Sequence, residues 1–191
     1  MPKYLILLFL IACGPDRSIN SISSLETKIL ENYKNLSTAH RLQIGSPDEP
    51  GEKLALCLTF VGKVSGAPLP NQKVHFYHTD NNGEYRPSIS NNESTARLNG
   101  SAITDAEGRI FVQTILPGDY GSSSDNRHIH TTVFGAKPEA YDIHFKQFTG
   151  FMGTRFADRS DQHFQADLKR NNDGSLIAFL SIEVKRPYTE N

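Results

Sequence analysis

Tryptophan is absent from this sequence, cysteine occurs only twice, and lysine and arginine never form a run. Lysine and arginine total 20 against 21 aspartates and glutamates, giving a formal net charge of −1, which argues against nucleic acid as a partner. No apolar stretch of the expected mature chain is long enough for a transmembrane helix. Once Cys13 is assigned to the N-terminal segment below, only Cys57 remains. An internal disulfide is therefore excluded, and we interpret Cys57 as a buried core thiol.

The rest of the composition is that of a folded globular chain. The 191 residues are 37% hydrophobic and 21% charged, unlike the low hydrophobicity and high net charge of disordered proteins. A chain of this length is expected to form one domain with a full-sized core.

The N-terminus has the features of a targeting segment. Lys3 supplies a positive charge, and Tyr4 to Ile11 form a short apolar stretch. Leu10-Ile-Ala-Cys13 is similar to a bacterial lipobox, where a signal peptide is cut and the new N-terminal cysteine is lipidated. We therefore expect residues 1–13 to be a signal peptide with a lipobox, and the protein to be an extracytoplasmic, membrane-anchored lipoprotein of the bacterial cell envelope. An ordinary signal peptide ending near a cysteine is the alternative.

Residues 14–52 are predicted to form an N-terminal segment and linker. Apolar residues spaced three or four apart, from Ile22 to Leu36, predict one short amphipathic helix. This helix is expected to bridge the anchor and the domain or to pack on the edge of the domain. The proline- and glycine-containing stretch Ser46–Gly51 is expected to interrupt regular structure.

Residues 53–186 show the alternation of apolar and polar side chains that is typical of short β-strands. Turns rich in glycine, asparagine and aspartate separate these strands, so the predicted fold is an all-β sandwich with a short N-terminal helix. The residues before Gly100 and those of 151–170 are expected to be loops, the latter with one helical turn. Strands are predicted at 54–64, 74–78, 109–115, 128–133, 141–148 and 176–184.

Four side chains are candidate metal ligands. His128 and His130 lie two apart on a predicted strand, so both project from the same face, about 6–7 Å apart along the strand. Tyr85 and Tyr120 each follow a sharp turn by two residues, where loops gather and sites form. Two phenolates and two imidazoles neutralise most of a 3+ charge and favour ferric iron. The alternative is that the histidines are surface imidazoles and the tyrosines are aromatics at the rim of the fold.

The same blocks resemble the intradiol ring-cleavage dioxygenases, a family with an apolar strand followed by Asp-x-x-Gly-x-Tyr. The resemblance extends over roughly Leu54 to Val184, and its blocks occur in the family's order. These blocks are Val74-His-Phe-Tyr-His-Thr-Asp-Asn-Asn-Gly-Glu-Tyr85, Thr104-Asp-x-x-Gly108, Thr114-Ile-x-Pro-Gly-x-Tyr120 and His128-Ile-His130.

The resemblance implies a non-haem Fe(III) site with Tyr85 and His130 equatorial and Tyr120 and His128 axial. It implies that a catecholic substrate reacts with dioxygen to give a muconate-type diacid. Catechol would displace Tyr120, which then serves as a base for a substrate proton. Arg127 is assigned a catalytic role, although it is adjacent to His128 and would point to the opposite face of a regular strand. The family usually has an arginine at the place of Asp125 here.

The alternative is a non-catalytic lipoprotein binding module of the prealbumin-like or carboxypeptidase-regulatory-like kind, without a metal. Such modules share the turn motifs but have no reason to keep His128 and His130 together with Tyr85. A third hypothesis is an iron protein that captures catecholate ligands without cleaving them. His144 and His163 have no partner at metal-site spacing and are interpreted as surface or satisfied histidines. A homodimer is compatible with these hypotheses, but the sequence does not fix the oligomeric state.

Overall fold

The computed structural model describes residues 18–121, 125–148 and 160–185. The predicted signal peptide and lipobox, at 1–13, lie outside these residues. None of the helices in the described ranges is long and apolar enough to cross a membrane.

The described chain is mostly β-structure, arranged in two sheets. One sheet has six strands in the order β1-β10-β11-β3-β6-β2, and the other has five in the order β5-β4-β7-β8-β9. Three short 3-10 helices lie at Thr38–His40, Glu93–Thr95 and Lys146–Phe148. The remaining elements, in chain order, are β1 Asn20–Ser21, α1 Ser24–Lys34, β2 Arg41–Gln43, β3 Lys53–Gly62, β4 Lys73–His78, β5 Leu98–Ile103, β6 Arg109–Ile115, β7 His128–Val133, β8 Ala140–Phe145, β9 His163–Ala166, β10 Lys169–Arg170 and β11 Leu176–Val184.

The alternation of the strands builds one core between the two sheets. In β7, Ile129, Thr131 and Val133 are buried, while His128 and His130 lie on the opposite, partly exposed face. The buried apolar side chains that face inward from both sheets belong to a single hydrophobic cluster. The five-stranded sheet therefore turns one face to the core and leaves the other available for polar side chains.

Helix α1 packs on the face of the six-stranded sheet that points away from the core between the sheets. Its first turn is fixed by a capping box, in which Ser23 and Glu26 exchange hydrogen bonds. Leu30 and Tyr33 form a second apolar cluster with residues of that sheet, among them Cys57. Burial raises the pKa of the Cys57 thiol to about 12, as expected of a core thiol that stays protonated.

An all-β fold with one short N-terminal helix was predicted, and the described residues are mostly β-structure with one α-helix. Strands β1 and β2 were not predicted, and three later segments also differ from the prediction. A strand, β5, begins at Leu98 where a loop was predicted to continue to Gly100, and its glycine, alanine and serine residues gave little β signal. Of the segment 151–170, residues 151–159 lie outside the described residues, and in the remainder β9 and β10 stand where a loop with one helical turn was predicted. The strand predicted at 141–148 ends at Phe145 and continues as a 3-10 helix.

Candidate metal centre

Polar side chains form two rows across the outward face of the five-stranded sheet. Strand register aligns Tyr77 of β4 with His130 of β7, His130 with Asp142 of β8, and Asp142 with His163 of β9. The neighbouring row pairs His128 with His144. These residues come from four strands, so pairing between strands, and not proximity along the sequence, assembles them.

His130 is held on three sides. Its Nδ1 donates a hydrogen bond to Oδ1 of Asp142 at 2.9 Å, and its ring stacks on Tyr77 with the centroids 4.6 Å apart. The hydroxyl of Tyr85 lies 2.8 Å from its Nε2. Because Nδ1 carries the proton, Nε2 presents a lone pair to Tyr85, which is the arrangement of a metal-binding histidine oriented by a carboxylate.

His128 presents its own Nε2 at the same place. Its Nδ1 donates to the backbone carbonyl of Asn126 at 3.2 Å, and its Nε2 lies 3.0 Å from Nε2 of His130. Burial, followed by the neighbouring His130, lowers the pKa of His128, so the ring is neutral at pH 7. Both Nδ1 atoms donate elsewhere, so the two Nε2 atoms and the hydroxyl of Tyr85 lie together as potential ligand atoms, and a bound cation would take the place of the Tyr85 proton.

Tyr85 provides the third donor atom. Its side chain is 7% exposed, and its ring packs against Tyr120 edge-on at 5.1 Å. Burial is the main factor that raises the pKa of Tyr85 above its ordinary value, and the nearby acidic and phenolic groups add to it. The phenol is therefore protonated when no cation is bound, and a cation beside it would favour the phenolate.

Tyr120 lies next to these donors but its hydroxyl points to another partner. The side chain is 38% exposed, and its ring packs edge-on against His128 with the centroids 6.3 Å apart. The hydroxyl donates to Oε1 of Glu93 at 3.1 Å. That hydrogen bond and the charge of Glu93 raise the pKa of Tyr120. Glu93 gave no signal in the sequence, since it lies in the serine- and asparagine-rich stretch interpreted as a loop.

The two turns that carry the tyrosines are in direct contact. The backbone N–H of Gly118 donates to the carbonyl of Asp80 at 2.8 Å, and the Thr79 hydroxyl donates to the carbonyl of Gly118 at 3.1 Å. A Cβ placed on Gly83 would lie 2.0 Å from the carbonyl oxygen of Asp119. Only glycine permits this approach, which brings the Tyr85 and Tyr120 segments side by side.

Arg127 lies beside this cluster. Its guanidinium stacks over the ring of Phe148 at 4.4 Å, and its Nη2 is 3.5 Å from a carboxylate oxygen of Asp119. The Nε atom is buried and has no hydrogen-bond partner among the residues that the structure describes. Arg127 therefore has one donor without a partner in the described part of the chain, at the residue that precedes His128.

The interpretation of His144 and His163 as histidines without a metal-site partner is wrong. Nε2 of His144 is 3.0 Å from Nδ1 of His163, and that nitrogen is 3.7 Å from Oδ2 of Asp142. One ligand atom from each of the three residues lies within 4.8 Å of the others. Part of the signal was present in the sequence, because Asp142 and His144 are two apart on one strand, as His128 and His130 are.

The donor set of the first cluster fits iron. Three of its donor atoms lie close together: Nε2 of His130 is within hydrogen-bonding distance of both Nε2 of His128 and the hydroxyl of Tyr85. The ring of Tyr120 packs against that of Tyr85. Two phenolic oxygens and two imidazole nitrogens combine anionic hard donors with borderline ones, which suits Fe(III). The residues present therefore fit the metal that the sequence motifs implied.

Comparisons with known proteins find dioxygenases. A family model described as "Dioxygenase" matches residues 31–188. The catechol 1,2-dioxygenase of Acinetobacter baylyi is 39% identical over 82 residues, which are 42% of this chain and 26% of that enzyme. The chain therefore matches only about a quarter of the length of this curated relative.

Solved structures share the fold. The 3-chlorocatechol 1,2-dioxygenase of Rhodococcus opacus 1CP superposes with a TM-score of 0.57 at 17% identity, covering 79% of this chain and 66% of that one. An intradiol ring-cleavage dioxygenase of Tetranychus urticae gives a TM-score of 0.56 at 18% identity, covering 78% and 88%. At these identities the likeness concerns the fold.

Proposed function

Because the chain belongs to the intradiol ring-cleavage dioxygenase family, we propose that it is a non-haem Fe(III) enzyme that cleaves a catecholic ring with dioxygen. The observation that carries this proposal is the convergence of Tyr85, His128 and His130. The hydroxyl of Tyr85 is 2.8 Å from Nε2 of His130, which is 3.0 Å from Nε2 of His128. A scaffold of two β-sheets supports the site, with His128 and His130 on the outward face of the five-stranded sheet and Tyr85 and Tyr120 on the segments after two turns.

In this proposal Tyr85, Tyr120, His128 and His130 hold the iron, and Asp142 and Tyr77 hold the ring of His130 in place. Ferric iron, when bound, supplies a binding site for both catechol oxygens and the redox chemistry by which dioxygen opens the ring. The overall reaction breaks the bond between the two hydroxyl-bearing carbons and adds both atoms of dioxygen. A muconate-type diacid is the product.

Tyr120 is proposed to accept a proton from the substrate. It is the most exposed of the four proposed ligands, so it can separate from the others without disturbing the core. Its oxygen would accept a proton from a catechol hydroxyl. The carboxylate of Glu93 is already hydrogen-bonded to that oxygen, and it would hold the proton on Tyr120 once transferred.

Arg127 is proposed to contact the substrate. Its Nε is a buried donor without a partner in the described part of the chain, and unpartnered buried donors are costly unless a ligand or water satisfies them. The positive charge of Arg127 would favour an anionic oxygen of the substrate or of the developing product. Asp119, 3.5 Å from Nη2, sets the orientation of the guanidinium.

The cellular setting remains part of the proposal. We propose that Cys13 carries a lipid that anchors the protein to a bacterial membrane on its extracytoplasmic side. The catecholic substrate and dioxygen would then be met outside the cytoplasm. The non-catalytic binding module is not favoured, because it gives no reason for two imidazole nitrogens to lie 3.0 Å apart beside a buried phenol.

The test is iron content, visible spectrum and ring opening in purified protein and three variants. Wild-type protein is expected to bind one iron, to be wine-red through charge transfer from tyrosinate, and to consume catechol and dioxygen in equal amounts. His130→Ala and Tyr85→Phe should lose iron affinity by at least 10–100-fold, since even changes to the groups behind metal ligands cost that much. Tyr120→Phe should keep more iron and still bind catechol, but turn over slowly.

A colourless protein that takes up no iron on reconstitution contradicts the proposal. If iron binds and catechol shifts the spectrum without ring opening, the protein is a catecholate-binding iron protein. If Tyr120→Phe equals wild type in all three measurements, Tyr120 is not a ligand.

A further inference from the structure

A second group of metal-ligand side chains lies beside the proposed iron site and shares none of its four ligands. It consists of Asp142 and His144 on β8 and His163 on β9, two parallel neighbouring strands. Register pairs Asp142 directly with His163, and His144 follows two residues later on the same face. The group is half-buried to buried, so its contacts are not those of freely solvated surface residues.

The distances are close to those of a bound metal. Zinc binds imidazole nitrogen at about 2.0–2.1 Å in a tetrahedral arrangement, which places two ligand atoms about 3.3 Å apart. Nε2 of His144 and Nδ1 of His163 are 3.0 Å apart, and Nδ1 of His163 is 3.7 Å from Oδ2 of Asp142. These two distances are within a few tenths of an ångström of that value, and all three ligand atoms lie within 4.8 Å of one another.

The two carboxylate oxygens of Asp142 have different partners, which also indicates a metal site. Its Oδ1 accepts the hydrogen bond from His130, so the oxygen that faces His163 is the other one, Oδ2. One carboxylate can therefore orient a ligand of the first site and bind a cation in the second. The contact between His144 and His163 requires a shared proton in the metal-free protein, and a cation can take the place of that proton.

We propose that Asp142, His144 and His163 form a second metal site, which takes a divalent cation of the zinc class. Two imidazole nitrogens and one carboxylate oxygen, without a phenolate, suit a borderline divalent ion and not the ferric ion of the first site. Three protein ligands leave a fourth tetrahedral position for water. The ion would link edge strand β9 to β8. Asp142 would bind the ion through one oxygen and orient His130 through the other.

The experiment uses Zn²⁺ as the probe with the full chain at pH 7.5. Zinc affinity and zinc per chain are measured for wild type, His144→Gln, His163→Gln, His128→Gln and His40→Gln. His128 belongs to the first cluster, and partly buried His40 belongs to neither, so these two variants are the controls. Iron content is measured separately, so that failure of the proposed function appears as absent iron and failure of this site as absent zinc.

We expect one zinc per chain in wild type, His128→Gln and His40→Gln, and at least a tenfold loss of affinity in His144→Gln and His163→Gln. Zinc should also raise the melting temperature of wild type and not that of His163→Gln. Melting without zinc checks that each variant is folded, and half-exposed His163 offers the milder substitution. If zinc affinity is lost in His128→Gln but kept in His163→Gln, the ion occupies the first cluster and the proposal is overturned. Absence of zinc binding to folded wild-type protein also overturns it.

Discussion

Nδ1 of His130 donates a hydrogen bond to Oδ1 of Asp142 across the neighbouring strands β7 and β8, with the two atoms 2.9 Å apart. Burial raises the pKa of Asp142, but the hydrogen bond from His130 and the electrostatic influence of the neighbouring histidines outweigh burial and hold the pKa of that carboxyl below its ordinary value. The carboxylate is therefore ionised at neutral pH. It fixes the tautomer that leaves Nε2 of His130 free to bind a metal.

Asp142→Asn is expected to weaken iron binding by about 10–100-fold, because a neutral amide orients His130 poorly and no longer increases its basicity. Iron titration followed by the visible charge-transfer band measures the effect. Asp48→Asn, at an exposed position, is the control and should bind iron as wild type does. Equal affinity in Asp142→Asn and wild type would show that the hydrogen bond does not support the metal site.

Glu93→Gln is expected to lower the pKa of Tyr120 towards its ordinary value. The hydrogen bond from Tyr120 to Glu93, followed by the charge of Glu93, raises that pKa, and glutamine removes the charge that disfavours the phenolate. Absorbance titration of tyrosinate in metal-free protein, compared with Tyr120→Phe to identify the Tyr120 transition, measures the shift. An unchanged or higher pKa in Glu93→Gln contradicts the contact.

The stability of the protein is expected to fall in mild acid partly because of His78. This ring is fully buried and links the two sheets, since its Nδ1 donates to the carbonyl of Thr79 and its Nε2 accepts from the Thr114 hydroxyl. Burial lowers the pKa of His78 to about 4 from an ordinary value of 6.5. The unfolded chain therefore binds the proton more readily than the folded one does.

The contribution of uncharged His78 to the free energy of unfolding is fully present above pH 6.5. It declines as the pH falls towards 4, by about 3 kcal/mol in total. Urea unfolding between pH 7.5 and 4 measures it. His78→Gln should reduce this pH dependence while lowering stability at pH 7.5, and His40→Gln should leave it unchanged. Burial also lowers the pKa of His144, to about 4, so some pH dependence persists in His78→Gln. An identical slope in His78→Gln and wild type contradicts the prediction.

Gly83→Ala is expected to destabilise the fold and to displace the tyrosines. Gly83 has φ +84, and a Cβ there would lie 2.0 Å from the backbone oxygen of Asp119. Gly174 is a matched control, since it has φ +85 with nothing within 4 Å of the added atom. Gly174→Ala should cost about 1 kcal/mol of strain, whereas Gly83→Ala adds a backbone clash of about 1–3 kcal/mol. Similar free energies of unfolding for both variants would contradict the close approach.

Cys13→Ala is expected to abolish lipid attachment and to release the protein from membranes. Cleavage before a lipobox cysteine and its acylation both require that side chain. Metabolic labelling with a fatty acid and fractionation of cells measure the two effects, and Cys57→Ala serves as the control for loss of a thiol. Wild-type protein that is recovered in the soluble fraction with Met1 intact would contradict the anchor.

The sequence predicted strands wherever bulky apolar residues alternate with polar ones, as in Arg109–Ile115 and Leu176–Val184. It missed β5, where Gly100 and Ala102 face inward and carry little β propensity, and β9, which has only four residues. Such strands form because paired neighbours supply the hydrogen bonds and the core supplies the burial. Periodicity within a single segment cannot detect either effect.

The site was predictable to the same extent. His128 and His130 share a face through local strand geometry, and motif order linked them with Tyr85 and Tyr120. The partners Asp142 and His163 reach this face through register between strands, and Glu93 reaches Tyr120 from a 3-10 helix remote from it in sequence. Register and loop path depend on the whole fold, which is why the sequence did not connect these three residues with the site.

The contact between the turns at Gly83 and Gly118 joins two segments that are distant in the sequence, so that neither turn can move without the other. The Tyr85 and Tyr120 segments are separated by more than thirty residues, yet backbone atoms of one lie directly on those of the other. An insertion in either turn would therefore displace both tyrosines at once. Substitutions that test the proposed substrate contacts should therefore leave these turns intact and alter Glu93 and Arg127, which contact Tyr120 and Asp119 only through their side chains.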